Sequence, residues 1–312
     1  MLSHSKMLTR PGAARTRKRR KDLLAGLLFV MPALLGFAIF VIGPMVASLL
    51  FSLTDYTVFN VPSFIGLDNY AELLSGRDPF FYQSLKVTFY YVVLGVPSFI
   101  AFSFLLAMLL NVELKGSSVF RAIFYIPSIV PIVASSMIWL WLFNPDMGLV
   151  NQLLSSVGLP TSLWFFSEGS VIPTLVLTGL WTVGGTMVIF LAGLQGIPEH
   201  YYEAVEVDGG NAFRKFIHIT IPLMTPTIFF NTVMGLIGSF QTFAQAYILT
   251  DGGPNNASLF YVFFLWREAF RNANMGYASA IAWVLFIIIL ILTVVVFKSS
   301  KWWVFYEGDK DK

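Results

Sequence analysis

Six strongly apolar runs, separated by polar segments, dominate the hydrophobic pattern of the chain. A helix rises about 1.5 Å per residue, so runs of this length approach or exceed a bilayer core of roughly 30 Å. Because lipid offers the backbone no hydrogen bonds, each run is predicted to be an α-helix. The predicted membrane spans cover residues 23–53, 85–110, 122–143, 171–194, 223–250 and 275–297.

Proline and glycine positions predict where these spans bend. A kink is expected near Gly43-Pro44 in the first span and at Pro97 in the second. Gly184-Gly185 predicts close packing or a bend in the fourth. The apolar stretch Leu259–Phe270 is too short to cross the bilayer, so it is predicted to be a re-entrant or interfacial helix.

The composition agrees with a membrane protein. Of 312 residues, 56% are hydrophobic and 12% are charged, and the mean hydropathy is +0.73. These values lie outside the soluble range, so the chain is predicted to be an all-α polytopic membrane protein with a transmembrane domain at residues 22–298. The basic residues lie outside the apolar runs without interleaved aromatic residues, so we expect no nucleic-acid partner.

A long polar segment, residues 196–222, lies between the fourth and fifth apolar runs, and we call it the Glu203 loop. Glu199, Glu203 and Glu206 recur at helical spacing and predict an acidic stripe on a short helix. A sharp turn is expected at Gly209-Gly210-Asn211, and a second short helix should run from there towards Pro222.

Lysine and arginine positions predict the orientation of the spans. If the amino terminus is cytoplasmic, sixteen of the 20 basic residues fall on the cytoplasmic side, and the other four are Arg77, Lys86, Arg267 and Arg271. The positive-inside rule therefore places both tails, residues 1–21 and 299–312, and the Glu203 loop in the cytoplasm. A secretory signal at the amino terminus is a weaker alternative, because the first apolar run is too long for a signal core.

Several kinds of chemistry are missing from the sequence. It contains no G-x-x-x-x-G-K-[ST] segment to hold nucleotide phosphates. His4, His200 and His218 lack metal-ligand spacing, so no metal site is expected, and no nucleophile accompanies the acidic stripe. The predicted spans are nearly free of ionisable residues, which ion-coupled carriers usually need at depth. The energy for any transport should therefore come from outside the bilayer.

A spaced motif in the Glu203 loop is similar to that of a known family. Glu203-Ala204-Val205 is followed after three residues by Gly209, and after nine more by Ile219-x-Ile221-Pro222. This pattern resembles the EAA loop of permease subunits of bacterial ABC importers, E-A-A, three residues, G, nine residues, I-x-L-P. It departs at Val205 and Ile221 without a change of polarity. An ordinary amphipathic cytoplasmic loop is the alternative interpretation.

Two further segments resemble the carbohydrate-uptake branch of that family, the maltose- and glycerol-phosphate-type importers. One is the FxGLxNY segment within Phe64–Leu74, predicted to be a small helix on the outer surface. The other is GGPxN, beginning at Gly252, followed by a Tyr/Phe-rich stretch and by MGYASA at Met275–Ala280. With six spans, the chain resembles the first of the two permeases of such importers.

The resemblance implies a type I ABC importer permease fold with six transmembrane helices, in a bacterial or archaeal cell (inner) membrane. It implies a second permease subunit, an ATPase subunit dimer, an extracytoplasmic substrate-binding protein and a sugar substrate. ATP and Mg²⁺ would bind to the ATPase, so the resemblance implies no cofactor and no catalytic residue on this chain.

The resemblance also implies roles for loop residues. Glu203 would pair with a basic group on the ATPase, Ala204 and Gly209 would allow close approach and the turn, and two phenylalanines would anchor the loop to its own spans. The implied coupling residues are Glu203, Ala204, Val205, Asp208, Gly209, Phe213, Phe216, Ile219 and Pro222.

Polar side chains in and after the fifth span are the candidates for the translocation pathway, because they are costly in lipid. Tyr247 and Phe243 could supply an aromatic platform for a sugar. Hydrogen bonding between helices is the competing explanation. The pathway candidates are Asn231, Ser239, Gln241, Thr242, Gln245 and Tyr247.

Two other functions remain alternatives for the whole chain. One is a secondary carrier or channel for a small polar solute, and the other is a membrane-embedded enzyme or assembly factor.

Overall fold

A computed structural model describes residues 12–112 and 116–305, and this part of the chain is helical without a named strand. Fifteen α-helices follow one another there. Residues 1–11 of the predicted basic tail and 306–312 of the C-terminal tail lie outside the described residues. The helices are α1 (Gly12–Phe37), α2 (Gly43–Ser52), α3 (Asp68–Leu74), α4 (Pro79–Leu110), α5 (Ser117–Ile129), α6 (Ile132–Leu142), α7 (Leu149–Ser156), α8 (Val171–Leu180), α9 (Gly184–Gln195), α10 (Glu199–Val207), α11 (Ala212–Lys215), α12 (Ile221–Phe240), α13 (Ala244–Leu249), α14 (Tyr261–Trp266) and α15 (Met275–Trp303).

Four continuous helical stretches of the described chain are long and apolar enough to cross a membrane. Two bent helix pairs, α5 with α6 and α8 with α9, bring the number of spans to six when each pair is counted as one. The bends measure 97° and 51°. The long stretches are Leu23–Ser52, Pro79–Leu110, Ala212–Phe240 and Met275–Trp303.

Helix boundaries differ from the predicted spans where local capping decides them. α4 begins at Pro79 rather than residue 85, because the Asp78 side chain accepts a hydrogen bond from the Phe80 N–H at 2.8 Å. The first span contains a π-helical turn at Ala38–Ile42, directly before the predicted kink at Gly43-Pro44. The bend between α5 and α6 lies at Val130, whose extended backbone is the conformation favoured before Pro131.

The fifth predicted span, residues 223–250, is not one helix. α12 ends at Phe240, and α13 begins at Ala244 after a short irregular segment. In that segment the N–H groups of Gln241 and Thr242 bond back by three residues instead of four, so the α-helical ladder stops there. Gln241 and Thr242 make the break locally polar, but the apolar residues on both sides of it led the sequence pattern to predict a single span.

The segment resembling FxGLxNY joins α2 to α3 by side-chain capping. Asn69 is buried, and its amide donates to the carbonyl oxygens of Ser52 and Thr54, both at 2.9 Å. The Tyr70 hydroxyl bonds to the Ser52 hydroxyl at 2.7 Å. The Asn69 amide thus satisfies backbone carbonyls that the end of α2 leaves free, and Tyr70 adds a bond between side chains.

Two hydrophobic clusters hold the bundle together. The larger one surrounds α14, the predicted re-entrant segment, whose residue Tyr261 is fully buried. The Thr88 hydroxyl accepts from the Tyr261 N–H at 2.8 Å, and the Tyr261 hydroxyl donates to the Ile281 carbonyl at 3.0 Å. The smaller cluster, around Phe104 and Phe190, lies next to the Glu203 loop.

Candidate functional site

The Glu203 loop folds as two short helices joined by a glycine turn. α10 ends at Asp208, after which Gly209 takes a positive φ of 74°. The Gly209 N–H donates to the Glu206 carbonyl at 2.9 Å, and the Gly210 N–H donates to the Val205 carbonyl at 2.8 Å. This hydrogen-bond pattern is a Schellman motif, which needs a residue that tolerates the left-handed region. Asn211 then caps α11 by accepting from the Arg214 N–H at 3.0 Å.

Gly210 has a second role, which the sequence motif does not reveal. A Cβ atom at this position would lie 2.4 Å from Val205 Cγ1 and 2.8 Å from the Val205 carbonyl oxygen. The turn after α10 therefore packs tightly against Val205, where the family pattern has alanine. An ion pair between Glu206 and Lys215 also joins them.

One face of α10 is exposed, and the other contacts the second half of the Glu203 loop. Glu203, Ala204 and Asp208 are exposed, and Val207 is 87% exposed. On the opposite face, the Tyr202 hydroxyl lies 3.1 Å from the buried Thr220 hydroxyl. Within the part of the chain that the structure describes, the Glu203 carboxylate has no hydrogen-bond or ion-pair partner. The residues of the predicted acidic stripe therefore differ, because Glu206 is paired with Lys215 of the same loop and Glu203 is not.

The two phenylalanines that the resemblance assigned as anchors have different environments. Phe216 packs on the smaller hydrophobic cluster, with its ring centroid 6.3 Å from that of Phe104. Phe213 is 70% exposed. The predicted anchoring of the loop to its own spans is therefore wrong for Phe213, which lies in the first turn of α11, before the chain reaches the bundle. Ile219 and Pro222 are half-buried where the loop joins α12.

A cavity of about 280 Å³ lies in the middle of the bundle. It borders two places where a helix is interrupted, the break between α8 and α9 and the break between α12 and α13. Interrupted helices are the usual way for a transporter to offer polar groups inside a membrane. The cavity is lined by Tyr91, Val96, Phe99, Ile100, Gly179, Thr182, Val183, Thr186, Asn231, Met234, Gly235 and Gln245.

The polar groups of this cavity are uncharged. Among the described residues that line it, hydroxyl and amide side chains supply the hydrogen-bonding groups, and no lysine, arginine, histidine or acidic side chain is present. The Tyr91 hydroxyl donates to the Gln245 amide oxygen at 3.4 Å. The Asn231 amide donates to the Thr227 carbonyl at 2.9 Å. Such a lining suits a neutral polar solute rather than an ion.

The cavity contains only some of the candidate pathway residues. Asn231 and Gln245 line it. Ser239 is buried elsewhere in the bundle, and Gln241 is exposed at the end of α12. Thr242 is half-buried in the break and does not line the cavity. Their roles in transport stay predictions.

The proposed aromatic platform also lies outside the cavity. Tyr247 stacks on Phe243, with ring centroids 5.5 Å apart and an interplanar angle of 10°. Trp266 covers Tyr247 from a centroid distance of 5.0 Å. The aromatic rings that do line the cavity are those of Tyr91 and Phe99, which the sequence pattern did not single out. Thr182 and Thr186 were also missed, although two hydroxyls one helical turn apart beside Gly184-Gly185 are a usable signal.

Comparison with known proteins decides the family. Residues 100–302 match the model of the family described as "Binding-protein-dependent transport system inner membrane component". The chain belongs to this family. It is 44% identical over 301 residues to the probable ABC transporter permease protein YesP of Bacillus subtilis (strain 168), covering 95% of this chain and 97% of YesP. The resemblance in the Glu203 loop is thus confirmed at the level of the family.

Further relatives place the permease among characterised transport systems. It is 31% identical to the trehalose/maltose transport system permease protein MalF of Thermococcus litoralis, covering 92% of this chain and 97% of that protein. The permease fold is shared with a chain of a bacterial alginate ABC transporter solved with an alginate pentasaccharide-bound periplasmic protein. That match has a TM-score of 0.79 and 23% sequence identity, and it covers 92% of this chain and 96% of the solved one.

Proposed function

We propose that this permease carries a neutral sugar through the cavity and that the exposed face of α10 binds a separate ATPase subunit. The observation that carries the second part is the unpartnered Glu203 carboxylate beside exposed apolar side chains on a rigidly capped helix. Val207 and Phe213 would cost free energy if they stayed in water, and a partner surface removes that cost. A basic group on the partner would satisfy Glu203.

The sugar assignment rests on the cavity and on the relatives. Hydroxyl and amide side chains beside the ring of Phe99 match the alternating polar and apolar faces of a sugar. Oligosaccharide, disaccharide and sugar-phosphate substrates all occur in the resembled branch. The cavity lining lacks a charged side chain among the described residues, which favours an uncharged sugar over a sugar phosphate.

The orientation follows from the basic residues. With both termini and the Glu203 loop in the cytoplasm, sixteen of the 20 lysine and arginine residues lie on the cytoplasmic side. This arrangement places the exposed face of α10 where ATP is available. It also places α3 and the α13–α14 connection outside, where a substrate-binding protein delivers sugar.

The complete transporter would contain this permease, a second permease subunit that is either a related chain or a second copy, an ATPase subunit dimer and a substrate-binding protein. This permease would be non-catalytic, because ATP and Mg²⁺ would be held by the ATPase dimer. ATP binding would draw the two coupling loops together, and the spans would change from an inward-open to an outward-open state. Such coupling requires two states that ATP and sugar bind with different affinity.

Replacement of one carboxylate at a time tests the ATPase contact. We expect Glu203→Gln to reduce the ATPase subunit retained on affinity-purified permease at least tenfold, because charge-assisted hydrogen bonds contribute about 1.5–3 kcal/mol. Glu206→Gln is the matched control, since its carboxylate binds Lys215 of the same loop. Quantitative mass spectrometry of the purified complexes measures the retention. Equal retention by both variants would contradict the proposal.

A further inference from the structure

A single side chain, Thr225, ties the end of α15 to the base of the Glu203 loop. Thr225 is 8% exposed. Its hydroxyl donates to the Pro222 carbonyl oxygen at 2.6 Å and accepts from the Phe305 N–H at 2.8 Å. We call these three residues the Thr225 clasp. It joins the last residue of the loop to a residue that follows it by more than eighty positions.

The sequence creates a need for both hydrogen bonds. In an α-helix the carbonyl of residue 222 accepts from the N–H of residue 226, but residue 226 is proline and has no N–H. The Thr225 hydroxyl takes its place. At the other side, α15 ends at Trp303 and Val304 is extended, with φ −88° and ψ 123°. The Phe305 N–H has therefore left the helical ladder and needs an acceptor of its own.

Packing around the clasp keeps α12 and α15 side by side. Val304 is 5% exposed. The ring of Phe229 contacts that of Phe297 at a centroid distance of 4.9 Å and that of Trp303 at 6.0 Å. The two partly buried hydrogen bonds thus lie at the end of an apolar contact between α12 and α15.

We propose that Thr225 is a positioning residue that fastens the end of α15 to the Glu203 loop, so that the loop and the sixth span move as one body. This role rests on the proposed function, because it matters only if a partner displaces the loop. Without these hydrogen bonds, a displaced loop would still move α12, because the two are covalently continuous. α15 would then be free to keep its position.

The absence of cysteine allows a direct measurement of this link in the full-length chain. Spin labels on Glu199→Cys and Trp302→Cys occupy exposed sites, one at the start of α10 outside the proposed ATPase contact and one in the last turn of α15. In lipid nanodiscs, pulsed electron spin resonance gives the distribution of the distance between them. We expect Thr225→Val to increase the population outside the wild-type distribution about fivefold, equivalent to ~1 kcal/mol for a lost hydrogen bond.

Matched variants separate the hydrogen bonds from folding. Thr225→Ser keeps the hydroxyl and should restore the wild-type distribution. Phe305→Pro removes the N–H at a site preceded by extended Val304, which tolerates a following proline. Phe305→Ala removes the ring but keeps the N–H, so it should resemble wild type. The proposal would be overturned if both Thr225→Val and Phe305→Pro gave the wild-type distances. It would also be overturned if the Thr225→Ser distribution were as broad as that of Thr225→Val.

The same labels test the coupling role in the co-purified complex trapped with ATP and vanadate. We expect the wild-type distance to be the same with and without nucleotide, and the Thr225→Val distance to shift on trapping. An unshifted distance in Thr225→Val would overturn the transmitting role. If no ATPase co-purifies, the proposed function fails, whereas the nanodisc measurement still decides whether the clasp exists.

Discussion

Single glycines determine how closely the helices of this permease approach each other. A Cβ atom on Gly184 would lie 2.3 Å from the Phe124 carbonyl oxygen, so α9 and α5 touch through backbone at that point. Inside the Glu203 loop, Gly210 lets the turn after α10 pack against Val205. The sequence predicted close packing at Gly184-Gly185 and a turn at Gly209, but not which neighbour each glycine meets, because that depends on elements distant in the chain.

The environment of a side chain was harder to predict than its position. Phe213 and Phe216 lie one helical turn apart, and a pattern of apolar residues treats them alike. In the structure only Phe216 meets the bundle, because the chain turns at Asn211 and reaches the spans one turn later. Exposure of Phe213 changes its expected role from an internal anchor to a contact for a partner.

A buried carboxylic acid near the beginning of α15 predicts a pH dependence. Burial of Glu268, followed by the repulsion of Asp78, raises the pKa of this carboxyl, while the amide of Asn272, at 2.9 Å, lowers it. An acid with a raised pKa in the folded state contributes stability that is fully present below its unfolded pKa and is lost as the pH rises through the folded one. The permease should therefore become less stable as Glu268 ionises.

Thermal unfolding in detergent between about pH 4 and pH 8 measures this effect. We expect Glu268→Gln to flatten the fall in Tm with rising pH, because the amide cannot ionise. Glu199→Gln, at an exposed site on α10, should keep the wild-type slope. A Glu268→Gln slope equal to that of wild type would show that this carboxyl does not control the pH dependence.

At the level of helices, the positions of the helix breaks were harder to predict than the positions of the spans. The hydrophobic pattern predicts where a span begins and ends, because lipid and water make different demands on side chains. It does not predict the break at residues 241–243, although polar Gln241 and Thr242 lie there. The bend in the fourth span lies next to Gly184-Gly185, where the sequence predicted close packing or a bend, and Thr182 and Val183 at this bend line the cavity. The bend in the fourth span was thus visible in the sequence, whereas the break in the fifth was not.

The contact between α8 and α4 predicts how the cavity responds to added volume. A Cβ atom on Gly179 would lie 2.7 Å from the ring of Phe99, which is held on the other side by Gly95. The ring can move, and the open space beside it is the cavity. We therefore expect Gly179→Ala to raise the KM for ATP-driven sugar uptake about tenfold, within the ~1–3 kcal/mol typical of overpacking.

The chain supplies a matched control for this prediction. Gly185→Ala adds the same methyl group to the neighbouring helix, where no atom lies within 4 Å of the new position. Its uptake kinetics should equal those of wild type. A Gly179→Ala permease with unchanged KM would show that the ring of Phe99 does not limit the space for the sugar.

For the whole molecule, the sequence was sufficient for the class and the family. The apolar runs predicted a helical membrane protein, and three matched spacings in the Glu203 loop indicated the permease family before any comparison. The cavity could not be predicted in full, because its lining comes from five helices and from the break between α8 and α9. The described cavity lining has no charged side chain, as expected from predicted spans that are nearly free of ionisable residues.

The most direct test of the account is the energy source of transport. The complex purified from its native membrane is reconstituted into proteoliposomes, and uptake of a panel of radiolabelled neutral disaccharides and trisaccharides is measured with and without ATP. We expect uptake to require ATP and the binding protein. Glu203→Gln should abolish this uptake, and Glu206→Gln should not. Uptake by the permease alone, without ATP, would contradict it and identify a secondary carrier.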